Sequence, residues 1–177
     1  MKFIHLSIFI LPIVFIACSQ ETSDSTSGSE NDQLITVIHP TEGNDASGSV
    51  TFTREADGVR VNATVSGLEP DSRHGFHIHE FGDCSASDGT SAGGHFSPEE
   101  MPHSAPTDDE RHMGDLGNLQ SDQDGVATVN FVDPIIEMDR ILGRGVIIHA
   151  GEDDYETQPT GDAGARLGCG VIGVAQL

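Results

Sequence analysis

Residues 50–65 read VTFTREADGVRVNATV and contain the clearest structural pattern of the chain. Apolar and polar residues alternate over 50–53 and again over 59–65, with Asp57-Gly58 between the two runs. A period of two is typical of a β-strand with one buried face, and Asp-Gly between two such runs is a strong hairpin signal. These residues therefore predict a β-hairpin.

The rest of the chain carries the same kind of pattern. Short apolar or alternating runs predict further strands at 34–38, 75–80, 126–132, 145–149 and 170–175, and no segment shows convincing helical periodicity. Several short strands with turn signals between them favour an all-β fold, either a sandwich or a barrel. Two stretches, 81–119 and 150–168, match neither strand nor helix, and loops of that length in a compact domain are usually functional.

The N-terminus has the features of a targeting segment. Lys2 precedes a mostly apolar run over residues 3–17, which is shorter than the roughly 20 residues of a membrane-spanning helix. The run ends in Phe15-Ile16-Ala17-Cys18, which resembles a bacterial lipobox and predicts a lipid on Cys18; an ordinary cleaved signal with a stray cysteine is the alternative. With the polar residues that follow, this predicts a lipoprotein signal peptide over 1–17, a disordered tether over 18–33 and one folded domain over 34–177.

Charge and cysteine content restrict the possible functions. The 177 residues include 8 Lys+Arg and 29 Asp+Glu, and removal of residues 1–17 would leave seven arginines against 29 acids, a formal charge of −22. Such an excess repels phosphate backbones, so no nucleic-acid partner is expected. Outside the cytosol the two remaining cysteines, Cys84 and Cys169, are predicted to form a disulfide, with two free thiols as the alternative.

The histidines indicate metal chemistry. His77 and His79 lie two positions apart in a predicted strand, so both imidazoles lie on one face, and His149 ends a distant strand and could join them. A second group lies in the long loop, where three histidines and a nearby acid make a plausible four-coordinate zinc set: His95, His103, His112 and Asp115. Imidazole suits copper as well as zinc. By strand parity His74 lies on the face opposite His77, which favours a structural hydrogen bond over ligation, and His39 is predicted to be a surface residue.

Four motifs resemble the copper/zinc superoxide dismutase family, in its secreted bacterial lipoprotein form. They are GFHIHEFGDC (75–84), SAGGHF (91–96), ERHMGDLGN (110–118) and GDAGARLGCGVIG (161–173). The resemblance covers essentially all of residues 34–177. It implies an eight-stranded Greek-key β-barrel or sandwich with two long functional loops.

The resemblance also implies a role for each candidate residue. Copper would be held by four histidines, His77, His79, His95 and His149. Zinc would be held by His95, His103, His112 and Asp115, so that His95 is shared between the two metals. Asp153 falls where the family has an aspartate that hydrogen-bonds a copper ligand and a zinc ligand. Arg166 falls where the family has an arginine that receives the anionic substrate. Cys84 and Cys169 match the cysteines of the family disulfide.

The function implied is dismutation of superoxide to oxygen and hydrogen peroxide by alternate reduction and oxidation of the copper. His95 would gain and release a proton, and zinc would be structural. We expect the protein to defend the cell against oxidative stress outside the cytoplasm. Its lipid alone would anchor it to a bacterial membrane, in the periplasm or at the cell surface. Both a monomer and a homodimer are compatible with the sequence. Four acids, Glu152, Asp153, Asp154 and Glu156, crowd the loop before Arg166, so weak steering of the superoxide anion is expected. A metal-holding lipoprotein with little turnover is the alternative function.

Overall fold

A computed structural model describes residues 32–176, so the predicted signal peptide, Cys18 and nearly all of the predicted tether lie outside the described residues. The described chain forms nine strands, one short α-helix, α1 (Met138–Ile141), and one 3-10 helix of three residues, Thr90–Ala92. The strands are β1 (Gln33–Pro40), β2 (Ser47–Glu55), β3 (Gly58–Ser66), β4 (Arg73–His79), β5 (Asp115–Gln120), β6 (Ala127–Asp133), β7 (Gly145–His149), β8 (Arg166–Val171) and β9 (Gly173–Val174). No helix within residues 32–176 is long and apolar enough to cross a membrane.

Eight strands form one antiparallel sheet that closes almost completely into a barrel. Their order is β5-β4-β7-β8-β1-β2-β3-β6, and β9 adds a short pairing to β1. The two ends of this order approach each other through an isolated bridge between Ser121 and Ala127. The predicted all-β fold of eight strands is therefore confirmed.

The predicted hairpin forms the best-defined part of the barrel wall. Phe52 of β2 lies opposite Val61 of β3, Val50 lies opposite Ala63, and all four side chains are buried. Alternate residues of each strand therefore face the barrel interior, and burial of that apolar surface stabilises the fold by roughly 25 cal/mol per Å².

Several elements differ from the sequence prediction. β8 begins at Arg166, inside the stretch 150–168 that we expected to be a loop, and the predicted strand 170–175 is divided between β8 and β9. β5 lies inside the stretch 81–119, which we expected to be a loop, because Asp115 is buried and Gly117 adopts a positive φ of 89°, so no alternating pattern is visible. The helix α1 has four residues and is too short to show a 3.6-residue period. The long connections are thus residues 80–114, between β4 and β5, and residues 150–165, between β7 and β8.

These two connections cover the outer face of the barrel at β4 and β7. Phe76 and Ile78 of β4 belong to the main core, so His77 and His79 face away from it, yet both histidines are also buried. The predicted disulfide between Cys84 and Cys169 is present, with Cα atoms 5.8 Å apart, and it ties the first connection to β8. The chain thereby encloses a second interior outside the barrel.

Candidate metal centre

Four histidines converge on the outer face of β4 and β7. His77 and His79 come from β4, His149 ends β7, and His95 reaches them from the first long connection, where it forms an isolated bridge with His79. One ring nitrogen from each lies within 4.8 Å of the others, and all four side chains are buried. These are the four residues that the resemblance implied for copper.

A second group lies beside the first and includes His95 again. Its ligand atoms also lie within 4.8 Å of one another, and its members are His95, His103, His112 and Asp115. Oδ1 of Asp115 is surrounded by three ring nitrogens: Nδ1 of His95 at 2.9 Å, Nδ1 of His103 at 3.0 Å and Nδ1 of His112 at 3.2 Å. The structure therefore brings together the residues implied for zinc and places His95 between the two groups.

Ring nitrogens without hydrogen bonds test whether metal ions fit these groups. Nδ1 of His77 and Nε2 of His95 are buried, and neither has a hydrogen-bond partner among residues 32–176. Buried polar atoms in proteins nearly always have such a partner. The open ring nitrogens suit a cation in the first group, and the second group supplies three imidazoles and one carboxylate, which is a common donor set for four-coordinate zinc, so the residues present fit both metals.

Asp153 connects the two groups through their opposite ring nitrogens. Nε2 of His77 donates to Oδ2 of Asp153 over 2.7 Å, and Nε2 of His103 donates to Oδ1 over 2.8 Å. Each ring therefore carries a hydrogen on Nε2 and turns Nδ1 toward the centre. Asp153 is fully buried and lies where the resemblance placed it.

Backbone carbonyls orient two more rings. Nδ1 of His79 donates to the carbonyl of Gly93 over 3.0 Å, and Nδ1 of His149 donates to the carbonyl of Gly164 over 3.1 Å. Their Nε2 atoms then carry no hydrogen and lie 3.3 Å apart. Two lone pairs facing each other at that distance repel unless a cation lies beside them.

Burial and neighbouring charges set the protonation of these histidines in the absence of metal. Burial lowers the pKa of His77 and His79, that of His95 to about 4 and that of His149 to about 3, so these rings are neutral at pH 7. Burial opposes the charge of His103 too, but hydrogen bonds to Asp115 and Asp153 outweigh it and raise the pKa to about 9.

The two carboxylates respond in the opposite direction. Burial alone would raise the pKa of Asp115, but hydrogen bonds from His103, His112 and His95 hold it well below its usual range. Hydrogen bonds from His103 and His77 likewise lower the pKa of Asp153 against the effect of burial. Both aspartates are therefore ionised, as a cation site requires.

Arg166 begins β8 directly opposite His149 of β7. Its Nη1 donates to the carbonyl of Gly89 and its Nη2 to the carbonyl of Gly93, each over 2.6 Å. Burial lowers the pKa of its half-buried guanidinium, and the carboxylate of Asp88 opposes that effect. The carbonyl of Gly93 thus holds both Arg166 and His79, which fixes the arginine relative to the first histidine group.

Three supporting residues were not found from the sequence. Asn118 binds the backbone of Asp153 twice, accepting from its N–H over 2.8 Å and donating to its carbonyl over 2.9 Å. Gly161 passes so close that a Cβ there would lie 1.9 Å from Oδ1 of Asp153. Thr41 contacts Arg166 from the β1–β2 turn. Asn118 and Gly161 lie within the four motifs and Thr41 does not, but no pattern in the sequence indicates the contacts that these three residues make.

The other histidines behave as their positions predicted. His74 is buried, and its Nδ1 donates to the backbone carbonyl of His149 over 3.0 Å, which is a structural contact. His39 is exposed on β1 and belongs to neither group.

Comparison with known proteins identifies similar chains. The sequence model of the family described as copper/zinc superoxide dismutase (SODC) matches residues 46–172. A Cu-Zn superoxide dismutase of Paramecium bursaria Chlorella virus 1 is 37% identical over 186 residues, covering 99% of this chain and 98% of that protein. One from Saccharomyces cerevisiae is 43% identical over 154 residues, covering 80% of this chain and 97% of that protein. A solved structure described as that of the clock protein EA4 superposes with a TM-score of 0.75 at 39% identity, covering 83% of this chain and 97% of that one.

Proposed function

Because this chain belongs to the copper/zinc superoxide dismutase family, we propose that it removes superoxide outside the cytoplasm while a lipid on Cys18 holds it to a bacterial membrane. The protein is a superoxide dismutase that uses copper and zinc. The observation that carries this function is the convergence of two four-ligand groups that share His95. The ligand assignment, the cellular location and the assembly are our proposals.

Copper is assigned to the group formed only by histidines, and zinc to the group that contains Asp115. The first group is His77, His79, His95 and His149, and the second is His95, His103, His112 and Asp115. An all-imidazole site suits a redox-active copper, whereas zinc commonly takes histidines with one carboxylate in a closed structural site. The open lone pairs on His77 and His95 support a metal ion in the all-histidine group.

When bound, copper supplies the one-electron acceptor and donor by which one superoxide becomes oxygen and a second, with two protons, becomes hydrogen peroxide. The chain supplies binding, orientation and one proton site. Arg166 binds the anion, and its Nη1 and Nη2 are already held by Gly89 and Gly93, so little reorganisation accompanies binding. His95 takes and releases a proton at Nε2, the nitrogen that Asp115 does not contact. Asp153 holds His77 and His103 in the required orientation.

The assay that tests this function is superoxide dismutation by the protein loaded with copper and zinc, beside its Arg166→Ala variant. Rapid dismutation that falls at least tenfold in the variant is the expected result, because removal of one preorganised group that binds charge costs an order of magnitude or more. Stoichiometric copper and zinc without dismutation would instead indicate a metal-holding lipoprotein.

A lipid anchor on Cys18 is supported by the sequence of the targeting segment. The apolar run over 3–17 ends at Ala17-Cys18, and the polar residues that follow would separate the domain from the bilayer. The disulfide between Cys84 and Cys169 is consistent with an oxidising compartment. The expected mass of the N-terminal peptide includes a diacylglycerol on Cys18, and Cys18→Ala should move the protein from the membrane fraction to the soluble one. An unmodified Cys18 would rule out the anchor.

A homodimer is supported by exposed apolar side chains on neighbouring segments of the chain, which we call the apolar patch. The five side chains are between 38% and 55% exposed, and they are Val37, Phe81, Leu142, Val171 and Val174. Val37 and Val171 also line a groove of about 550 Å³. Apolar patches of this kind often mark protein contacts, and an uncharged surface is where two copies of a strongly acidic chain repel each other least.

Sedimentation of the full protein in detergent tests this assembly. We expect a dimer that Val171→Asp converts to a monomer. Met101→Asp is the matched control, because Met101 is similarly exposed, at 40%, but lies outside the patch. A wild-type protein that sediments as a monomer at micromolar concentration would overturn the proposal.

A further inference from the structure

The turn between β1 and β2 is tied to the backbone of β8 at Arg166. Oγ1 of Thr41 donates to the carbonyl of Arg166 over 2.7 Å, and the backbone N–H of Thr41 donates to the carbonyl of Leu167 over 3.0 Å. Nδ2 of Asn44 in turn donates to Oγ1 of Thr41 over 2.8 Å. Thr41 is 8% exposed, so its hydroxyl is shielded from water and is used both as donor and as acceptor.

The same turn also contacts the loop that holds the guanidinium of Arg166. The backbone N–H of Glu42 donates to the carbonyl of Ser87 over 2.8 Å, two residues before Gly89. A Cβ on Gly89 would lie 3.3 Å from Cγ2 of Thr41 and 3.4 Å from Cδ of Arg166, so Thr41, Gly89 and Arg166 lie in mutual contact. Two of the supports of Arg166, its own backbone and the Gly89 carbonyl, therefore adjoin the β1–β2 turn.

A cavity of about 270 Å³ opens at this junction. Thr41 and Asn44 line it together with the proposed substrate-binding Arg166, and Asp88 and Thr90 line its other side. An anion that approaches Arg166 through this cavity passes the turn, so a shift of the turn would change where the guanidinium meets that anion.

We propose that Thr41 and Asn44 are positioning residues for the superoxide reaction, which set the place of Arg166 through its backbone and through the loop that holds its guanidinium. The inference rests on the proposed role of Arg166. Removal of the Thr41 hydroxyl leaves the carbonyl of Arg166 and the amide of Asn44 without that partner, and the strand end and the loop can then shift apart. Neither residue touches the ligand groups, so metal content stays unchanged.

The test compares three substitutions in the copper- and zinc-loaded protein. Thr41→Val removes the hydroxyl at nearly constant shape, and Thr41→Ser restores it. Thr36→Val is the matched control. Thr36, in β1, is a buried threonine like Thr41, but its Oγ1 has no hydrogen-bond partner among residues 32–176. Azide is the probe, since it is a small anion whose binding to Cu(II) is followed by visible absorption, and the unfolding midpoint and dismutation rate are measured beside it.

We expect Thr41→Val to weaken azide binding about fivefold, the value of one hydrogen bond, with Thr41→Ser and Thr36→Val within about twofold of wild type. In an Arg166→Ala background Thr41→Val should have no further effect on azide, because the residue acts through Arg166. A purely structural role would lower the unfolding midpoint but leave azide affinity intact, which would overturn the inference. An additive loss in the Arg166→Ala background would overturn it as well.

Failure of the proposed function gives a different pattern. If Arg166→Ala itself binds azide and dismutes superoxide as the wild type does, then the role assigned to Arg166 is wrong, and the role of Thr41 is refuted with it. If Arg166→Ala impairs both and Thr41→Val impairs neither, only the inference about the turn is refuted.

Discussion

Loss of the disulfide between Cys84 and Cys169 should destabilise the metal-free protein by several kcal/mol. The bond joins residues 85 positions apart. In the chain-entropy description, a loop of that length lowers the entropy of the unfolded chain enough to stabilise the fold by about 4 to 5 kcal/mol. With a slope of about 2 kcal/mol per molar urea, the unfolding midpoint should fall by about 2 M. Urea unfolding of the wild type, oxidised and after reduction, measures this without changing any side chain.

The same comparison separates two causes of the loss. If the effect arises in the unfolded chain, the reduced protein should also show a steeper urea dependence, because its unfolded state is more expanded. The double variant Cys84→Ala/Cys169→Ala should lose a little more than the reduced protein, since Cys169 is buried and its sulfur would leave a small cavity. A midpoint shift below about 0.5 M would contradict the reasoning and would mean that the loop contacts alone hold residues 84–94 on β8.

Three further changes have expected outcomes. Asp88→Asn should speed dismutation at low ionic strength, because it removes a negative charge that lines the cavity beside Arg166. The gain should vanish near 1 M salt, and the control Asp57→Asn in the β2–β3 turn should show none. Gly161→Ala should weaken zinc retention against a chelator, because its Cβ would lie 2.7 Å from Nε2 of His103. Denaturation of the metal-free protein across pH should show stability rising from about pH 4 to 6.5, because unfolding takes up protons at His95 and His149 in that range. Stability should then fall from pH 6.5 to about 9, because unfolding releases a proton from His103. Stability that stays constant above pH 6.5 would contradict the raised pKa of His103.

The strands that build the barrel could be predicted where apolar residues occupy their buried positions. The β2–β3 hairpin follows from alternation because one face packs against the core, and β7 follows from a continuous apolar run because both of its faces are buried. β5 could not be predicted in this way. Its first residue, Asp115, belongs to the metal centre, and Gly117 occupies a backbone conformation that favours glycine, so functional demands replace the pattern of a packed strand.

The candidate site shows the same division. Four of its six histidines could be selected because they stand in short motifs, and His103 and His149, which lie outside those motifs, could be selected because imidazoles near other candidate ligands indicate metal binding. The residues that orient them could not. Asn118 recognises the backbone of Asp153, and Thr41 recognises the backbone of Arg166, from segments far away in the chain. Every residue has a backbone carbonyl, so the residue types at 153 and 166 give no indication that Asn118 and Thr41 bind there.

The hydrogen bonds of His77, His79 and His149 have a consequence for how the copper half of the centre is filled. Each ring already donates its single N–H to Asp153 or to a backbone carbonyl, so the choice between its two neutral tautomers is made during folding. An arriving ion meets three open lone pairs and no proton that must first leave those rings at neutral pH. The heat of copper binding to these nitrogens, measured by calorimetry, should therefore depend little on the buffer. The rate of copper binding would be set by access of the ion to the centre and not by acid–base exchange.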